Sequence, residues 1–145
     1  MRLADAADAG DVFALWGELG AGKSTFARAF IRHYAQVRDV TIDDVPSPTF
    51  TLIQMYDVAG QLLWHFDLYR IGQADEIWEI GLEEALGGGI CLIEWPGNAG
   101  SLLPEQRIDI FLDHGENPDR RDVRLVDRSG TGARFASAFS GLGVS

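Results

Sequence analysis

The sequence predicts an α/β fold with a mixed sheet, on three observations. A short apolar run, Val12-Phe13-Ala14-Leu15-Trp16, ends in glycine and is followed by Phe26, Ala27, Phe30 and Ile31 at helical spacing, which reads as strand, glycine-rich turn and helix. Two β-rich runs, residues 50–58 and 61–68, flank Ala59-Gly60 and form a hairpin. Another apolar run, residues 90–95, reads as a buried strand stopped by Pro96-Gly97. The hairpin requires an antiparallel pair, so the sheet is mixed rather than wholly parallel.

The remaining elements follow in order. Helical spacing covers residues 24–34, and residues 43–49 carry two prolines, each biasing its predecessor away from helix, so that stretch is an extended loop. Residues 74–86 alternate Ile77, Trp78, Ile80 and Leu82 with Asp75, Glu76, Glu79, Glu83 and Glu84, an acidic amphipathic helix or helical pair broken near Gly81 and ended by Gly87-Gly88-Gly89. Residues 107–113 and 122–127 alternate as half-exposed strands do. A short helix is expected at residues 133–139, with residues 141–145 frayed.

At 145 residues and 46% hydrophobic, the chain fits one domain, residues 1–145, able to bury most of its unfolded surface. The single cysteine, Cys91, lies in the apolar run Ile90-Cys91-Leu92-Ile93 and has no partner for an internal disulfide, a cytosolic pattern. Met1-Arg2-Leu3-Ala4-Asp5 shows no apolar stretch followed by a small-residue cleavage site, and nowhere do 18 uncharged apolar residues run together, so a cytoplasmic protein without membrane spans is expected. A net charge of −10 argues against strong direct nucleic-acid binding. Arg120, Arg121, Arg124, Arg128 and Arg134 gather near the C-terminus, but Asp119, Asp122 and Asp127 interleave with them, which reads as a solvated strand face.

The turn after the first strand carries the chemistry. Gly17-Glu18-Leu19-Gly20-Ala21-Gly22-Lys23-Ser24 satisfies G-x-x-x-x-G-K-[ST] between a strand and a helix, the context that confirms a phosphate-binding P-loop. Glycines let consecutive N–H groups curl around an anion, and the helix N-terminus adds unsatisfied donors and a partial positive charge. The segment from Gly17 to Thr25 thus holds phosphates largely by backbone, including Leu19, Gly20, Ala21 and Gly22. Lys23 supplies a compact charge to the β- and γ-phosphates, and the Ser24 hydroxyl suits a Mg²⁺ shell. Lys23 is the only lysine, against eleven arginines, at the one place where a planar guanidinium is too large.

P-loop enzymes place an acid at a strand end near Mg²⁺ and a second polar group near the attacking water. Two strand-end acids compete: Asp67, closing Leu62-Leu63-Trp64-His65-Phe66-Asp67, and Glu94, closing Ile90-Cys91-Leu92-Ile93-Glu94. A carboxylate ending a buried strand is costly unless paired or metal-bound, and Arg70 offers Asp67 a simple partner. Thr49 sits in the loop after the first helix, where a switch hydroxyl meets a γ-phosphate; a plain turn role for Ser47 and Thr49 fits equally well. His65 reads as a half-exposed strand residue, His33 as helix surface and His114 as a turn residue, none with a second ligand at zinc spacing.

Four segments in order resemble the TsaE family of small bacterial P-loop ATPases. They are Gly17 through Arg28, Ser47-Pro48-Thr49-Phe50-Thr51-Leu52, His65-Phe66-Asp67-Leu68-Tyr69-Arg70 and Leu92-Ile93-Glu94-Trp95-Pro96. The resemblance implies a three-layer P-loop NTPase fold, ATP with Mg²⁺, and work beside the TsaB and TsaD proteins that install threonylcarbamoyl on a tRNA adenosine next to the anticodon. It assigns Ser24 and Glu94 to Mg²⁺, Asp67 to hydrolysis, Thr49 to a switch-like loop, Trp95 to the wall beside the nucleotide, and Arg121 to an approach on the nucleotide. Family members carry a longer segment ahead of the first strand than Met1–Gly10, so a shortened chain or an upstream start is expected, with looser recognition of adenine.

A small-molecule kinase uses the same loop but needs an arginine-rich lid and an acceptor pocket for which a chain this short has little room. A nucleotide-gated binding module with negligible hydrolysis is the non-enzymatic alternative. No Asn-Lys-x-Asp guanine reader occurs.

Overall fold

Six strands form one sheet in the order β2-β3-β4-β1-β5-β6. They are β1 (Val12–Trp16), β2 (Ile53–Val58), β3 (Gln61–Asp67), β4 (Ile90–Glu94), β5 (Ile108–His114) and β6 (Arg121–Asp127). The central neighbours β3·β4, β4·β1 and β1·β5 are parallel, and the outer pairs β2·β3 and β5·β6 are antiparallel. The sheet is therefore mixed, as the hairpin at Ala59-Gly60 requires. Both turn residues take positive φ, 51° and 91°, the backbone of a tight hairpin whose twist matches its strands. The computed structural model describes residues 2–18, 20, 22–42, 53–71, 81–114 and 121–128, excluding the side chains at positions 2, 114, 121 and 122. The proline loop at residues 43–49, most of the acidic helix at 74–80 and the C-terminal helix at 133–139 lie outside them.

Helices cover both faces. On one side α1 (Arg2–Ala6) and α2 (Lys23–Gln36) bury Leu3, Ala4, Ala27, Phe30 and Ile31 against Phe13, Leu15, Leu63, Leu92, Ile108 and Ile110. Phe13 tilts 56° against Phe30 with ring centroids 5.1 Å apart, a pairing that adds about 1 kcal/mol to simple burial and ties α2 to β1. On the other side α3 (Leu82–Leu86) and two 3₁₀ turns within Pro96–Leu102 cover Trp64, Phe66, Cys91 and Ile93. Cys91 is fully buried, and burial pushes its thiol up to about 12.

Several expectations are refined by these elements. α2 runs from Lys23 to Gln36 rather than over residues 24–34, and β4 ends at Glu94 because Trp95 turns into the left-handed region. α1 and the 3₁₀ segment are additions. The backbone of His114 closes β5 opposite Arg121 instead of lying in a turn, since the β5·β6 ladder extends that far. His65 is fully buried, not half-exposed. β3 is an inner strand with both faces covered, so alternation there carries no solvent side.

Candidate functional site

The register gathers the polar groups at one end of the parallel strands. Leu15 of β1 pairs with Glu94 of β4, and Glu94 with Asp67 of β3, so both acids stand at carboxyl ends beside the turn that leaves β1. Side chains alternate along a strand, so His65 and Asp67 share the face that α2 covers with Leu92 and Glu94. That edge of a parallel sheet is where α/β proteins bind ligands, because loops and helix N-termini converge there.

Two glycines of the turn take the backbone that a phosphate-binding loop uses. Gly20 and Gly22 sit at φ 82° and 97°, a region L side chains rarely adopt, and a Cβ at Gly20 would meet nothing within 4 Å. Gly22 caps α2 without a side-chain hydrogen bond. The first-turn N–H groups of α2 have no side-chain cap and carry the positive end of the helix dipole. Leu19 and Ala21, read as further loop contacts, fall outside the described residues, and so does Thr49.

Lys23 is buried at 4% exposure and donates from Nζ to the carbonyls of Gly17 (2.7 Å) and Glu18 (2.8 Å). Its ammonium lies 4.1 Å from the centroid of the Trp95 ring. Burial draws its pKa below the ordinary lysine value, opposed in part by the charges of Glu94 and Asp67. A cation so placed gains from any anion brought into the turn.

The next residue meets the carboxylate. Ser24 Oγ donates to Glu94, 2.8 Å from Oε1 and 3.0 Å from Oε2, and Glu94 is 3% exposed. His65 Nε2 is 2.6 Å from Glu94 Oε2. Asp67 accepts the backbone N–H of Tyr69 at 3.0 Å, and Leu68 N–H reaches the Glu94 carbonyl at 3.1 Å, fixing the two strand ends together. Trp95, at φ 57° and ψ 50°, is held in a left-handed turn that brings its indole over Lys23 and to 5.0 Å from the Tyr69 ring. Such a backbone costs on the order of 1 kcal/mol for a bulky residue. A recess of about 230 Å³ opens between Trp16, Gly17, Trp95, Gly97 and Asn98, next to the first glycine of the turn.

Of the residues read from the sequence, the fold brings Gly20, Gly22, Lys23, Ser24, Asp67, Glu94 and Trp95 to this edge, while Thr25 lies exposed on the first turn of α2. The backbone of Arg121 begins β6 at the far edge of the sheet. The set suits a Mg²⁺-bound triphosphate: uncapped helix donors, one buried cation, and a hydroxyl beside a carboxylate as the two protein oxygens that this ion accepts alongside phosphates and water. Sequence reasoning missed His65 as a member. Its available signal was position, two residues before a strand-end acid and therefore on the same strand face.

A second polar centre flanks the turn from the other face of the sheet. Asp109, 1% exposed, accepts from Trp16 Nε1 (2.9 Å) and Arg107 Nε (2.8 Å) on Oδ1 and from Arg128 Nε (2.6 Å) on Oδ2. Burial raises its pKa, but the bonds from Trp16, Arg107 and Arg128 and the Arg107 charge more than reverse that, leaving the carboxyl below its usual range. Trp16 is thereby anchored one residue ahead of the glycine turn.

Comparison with known proteins agrees with this architecture. A family model, "Threonylcarbamoyl adenosine biosynthesis protein TsaE", matches residues 1–123. The tRNA threonylcarbamoyladenosine biosynthesis protein TsaE of Haemophilus influenzae is 35% identical over 125 residues, covering 86% of this chain and 75% of that protein. Its counterpart in Rickettsia felis is 39% identical over 111 residues, 77% of this chain and 63% of its own length. The crystal structure of Bacillus subtilis YdiB superposes with a TM-score of 0.70 at 29% identity, over 97% of this chain and 84% of that one. With a family model spanning most of its length and relatives above a third identical, the chain belongs to the TsaE family.

Proposed function

We propose that this protein binds ATP with Mg²⁺ at the Gly17–Thr25 turn and hydrolyses it slowly, in the cytoplasm, as part of tRNA threonylcarbamoyladenosine formation beside TsaB and TsaD proteins. The observation that carries the reading is the Ser24 hydroxyl on the Glu94 carboxylate, one residue after a buried Lys23, at the uncapped start of α2. The process follows from the family and from the names of its relatives.

In this reading the α2 N–H groups and Lys23 hold the phosphates, with Lys23 exchanging its Gly17 and Glu18 carbonyls for phosphate oxygens. Ser24 and Glu94 hold Mg²⁺, which when bound neutralises charge on the transferred phosphoryl group. Asp67, beside Glu94 in the sheet, orients the attacking water. Trp95 walls the site, and the net charge of −10 argues against strong direct tRNA binding by this chain, which suits a role beside partners that hold the tRNA.

The two carboxylates are separable by experiment. Glu94→Gln is expected to weaken Mg²⁺-dependent ATP binding about tenfold, because the carboxylate's negative charge is lost and only a neutral amide oxygen is left for the metal. Asp67→Asn is expected to bind ATP within a few fold of the parent and to release phosphate about 100-fold more slowly, with or without TsaB and TsaD. Both variants within twofold of the parent in calorimetry and phosphate release would remove these acids from the site.

A further inference from the structure

His65 is an imidazole sealed inside the protein at 0% exposure, on the inner strand β3, with one ring nitrogen engaged and the other not. Nε2 lies 2.6 Å from Glu94 Oε2, while Nδ1 is buried with no hydrogen-bond partner among the described residues. Carboxylate oxygens accept, so Nε2 is the donor, and a bare Nδ1 lone pair fits an unpartnered buried position better than an N–H would. Nothing else about the position favours histidine. Its neighbours on the same strand face include Leu63, its partner across the ladder is Leu92, and a leucine would fill the place without an unmatched polar atom.

The geometry at Glu94 gives the ring a purpose. The carboxylate has two oxygens and meets two groups from different elements: His65 from β3 on Oε2, and Ser24 from α2 mainly on Oε1. A carboxylate gripped at one oxygen cannot rotate freely, so the other stays aimed at the serine hydroxyl. We infer that His65 is a positioning residue, holding Oε2 of Glu94 so that Oε1 and Ser24 Oγ stand side by side as the protein oxygens for a divalent cation. The inference rests on the Mg²⁺–nucleotide reading of the site and adds to it the residue that orients the metal carboxylate.

The grip bears on nucleotide affinity through the metal rather than through the phosphates. In the proposed site the phosphates are held by the α2 N-terminus and Lys23, and among the described residues neither Lys23 nor the α2 backbone hydrogen-bonds to His65. Loss of the Nε2 donor should therefore uncouple Mg²⁺ from nucleotide affinity and spare the metal-free component. A glutamine amide at position 65 reaches the place of Nε2, whereas the shorter asparagine amide mimics Nδ1 and falls short.

The test is calorimetric titration of β,γ-imido-ATP into the parent, His65→Leu, His65→Gln and His65→Asn, in EDTA and in Mg²⁺. For His65→Leu we expect the affinity gained on adding Mg²⁺ to shrink by 10-fold or more, about the usual penalty for removing an outer partner of a metal ligand, with EDTA affinity within twofold. His65→Gln should recover the gain to within about threefold by keeping the donor. Should His65→Leu not fold, His65→Gln against His65→Asn decides, glutamine retaining the gain and asparagine losing it. The inference is overturned if the Mg²⁺ gain survives in His65→Leu or His65→Asn, if metal-free affinity falls in step with it, or if glutamine fails to recover it. If the parent binds the analogue no better with Mg²⁺ than in EDTA, the metal reading fails first and takes the inference with it.

Discussion

Replacing Asp109 by asparagine keeps the side chain's shape and removes its charge, which isolates what the buried carboxylate contributes. Asparagine can still present an oxygen to Trp16 Nε1 and Arg107 Nε, but its NH₂ then faces Arg128 Nε, donor against donor, where a 2.6 Å bond stood. Hydrogen bonds to charged groups are worth about 1.5–3 kcal/mol. Arg128 is 52% exposed and can swing into water, so its screened share of the ion pair belongs at the low end. A net loss of about 2 kcal/mol follows. With a urea m-value of about 2 kcal/mol/M for a chain of this size, the unfolding midpoint should drop by about 1 M. The carboxyl titrates below its ordinary 3.8 in the folded state, so its stabilisation is complete above that pH and is lost as pH falls through the folded value. The gap between parent and variant should accordingly be full at pH 7 and narrow below about pH 4. A midpoint shift under 0.2 M, or a gap that stays constant down to pH 3, would refute the reasoning.

Two further outcomes concern the second core. A Cβ at position 89 would stand 2.6 Å from Trp64 Cδ1, 2.7 Å from Nε1 and 2.8 Å from the Ala85 carbonyl oxygen, so Gly89→Ala should cost about 1–3 kcal/mol and lower Tm by roughly 3–9 °C in a thermal melt; an unchanged Tm would mean that Trp64 and the Ala85 backbone both yield without cost. Cys91, buried and with its thiol at about 12, should react with a thiol reagent only through unfolding, its rate at pH 8 rising with urea in step with the unfolded fraction; prompt labelling of the native protein would show that β4 opens locally.

The parts of the fold legible in the sequence are those written in local pattern. The strand-turn-helix of residues 12–36 announces itself by an apolar run, obligatory glycines and helical spacing, and the β2–β3 turn by Ala59-Gly60. α1 was illegible because five residues are too few to show a period, and Leu3, Ala4 and Ala7 earn their places only by packing on α2. The same limit hid the second polar centre. Asp109 looks like the exposed half of an alternating strand, yet its partners Trp16 and Arg128 lie 93 and 19 residues away. His65 was misread for a related reason: whether a strand has a solvent side depends on its place in the sheet, which local alternation does not report. The candidate site was largely readable, since a P-loop and strand-end acids are short-range signals. What joins them, the Leu15–Glu94–Asp67 register, belongs to the assembled sheet.

The central claim is that the Gly17–Thr25 turn binds a nucleoside triphosphate through Lys23, and calorimetric titration of ATP with Mg²⁺ into the parent and Lys23→Ala tests it most directly. If Lys23 exchanges its two carbonyl bonds for two phosphate bonds as proposed, removing the ammonium should lower affinity about 100-fold or more, near 3 kcal/mol, and Lys23→Arg should not restore it because a planar guanidinium is too large for the turn. Equal ATP affinity in the parent and Lys23→Ala, with both proteins folded by circular dichroism, would contradict the account.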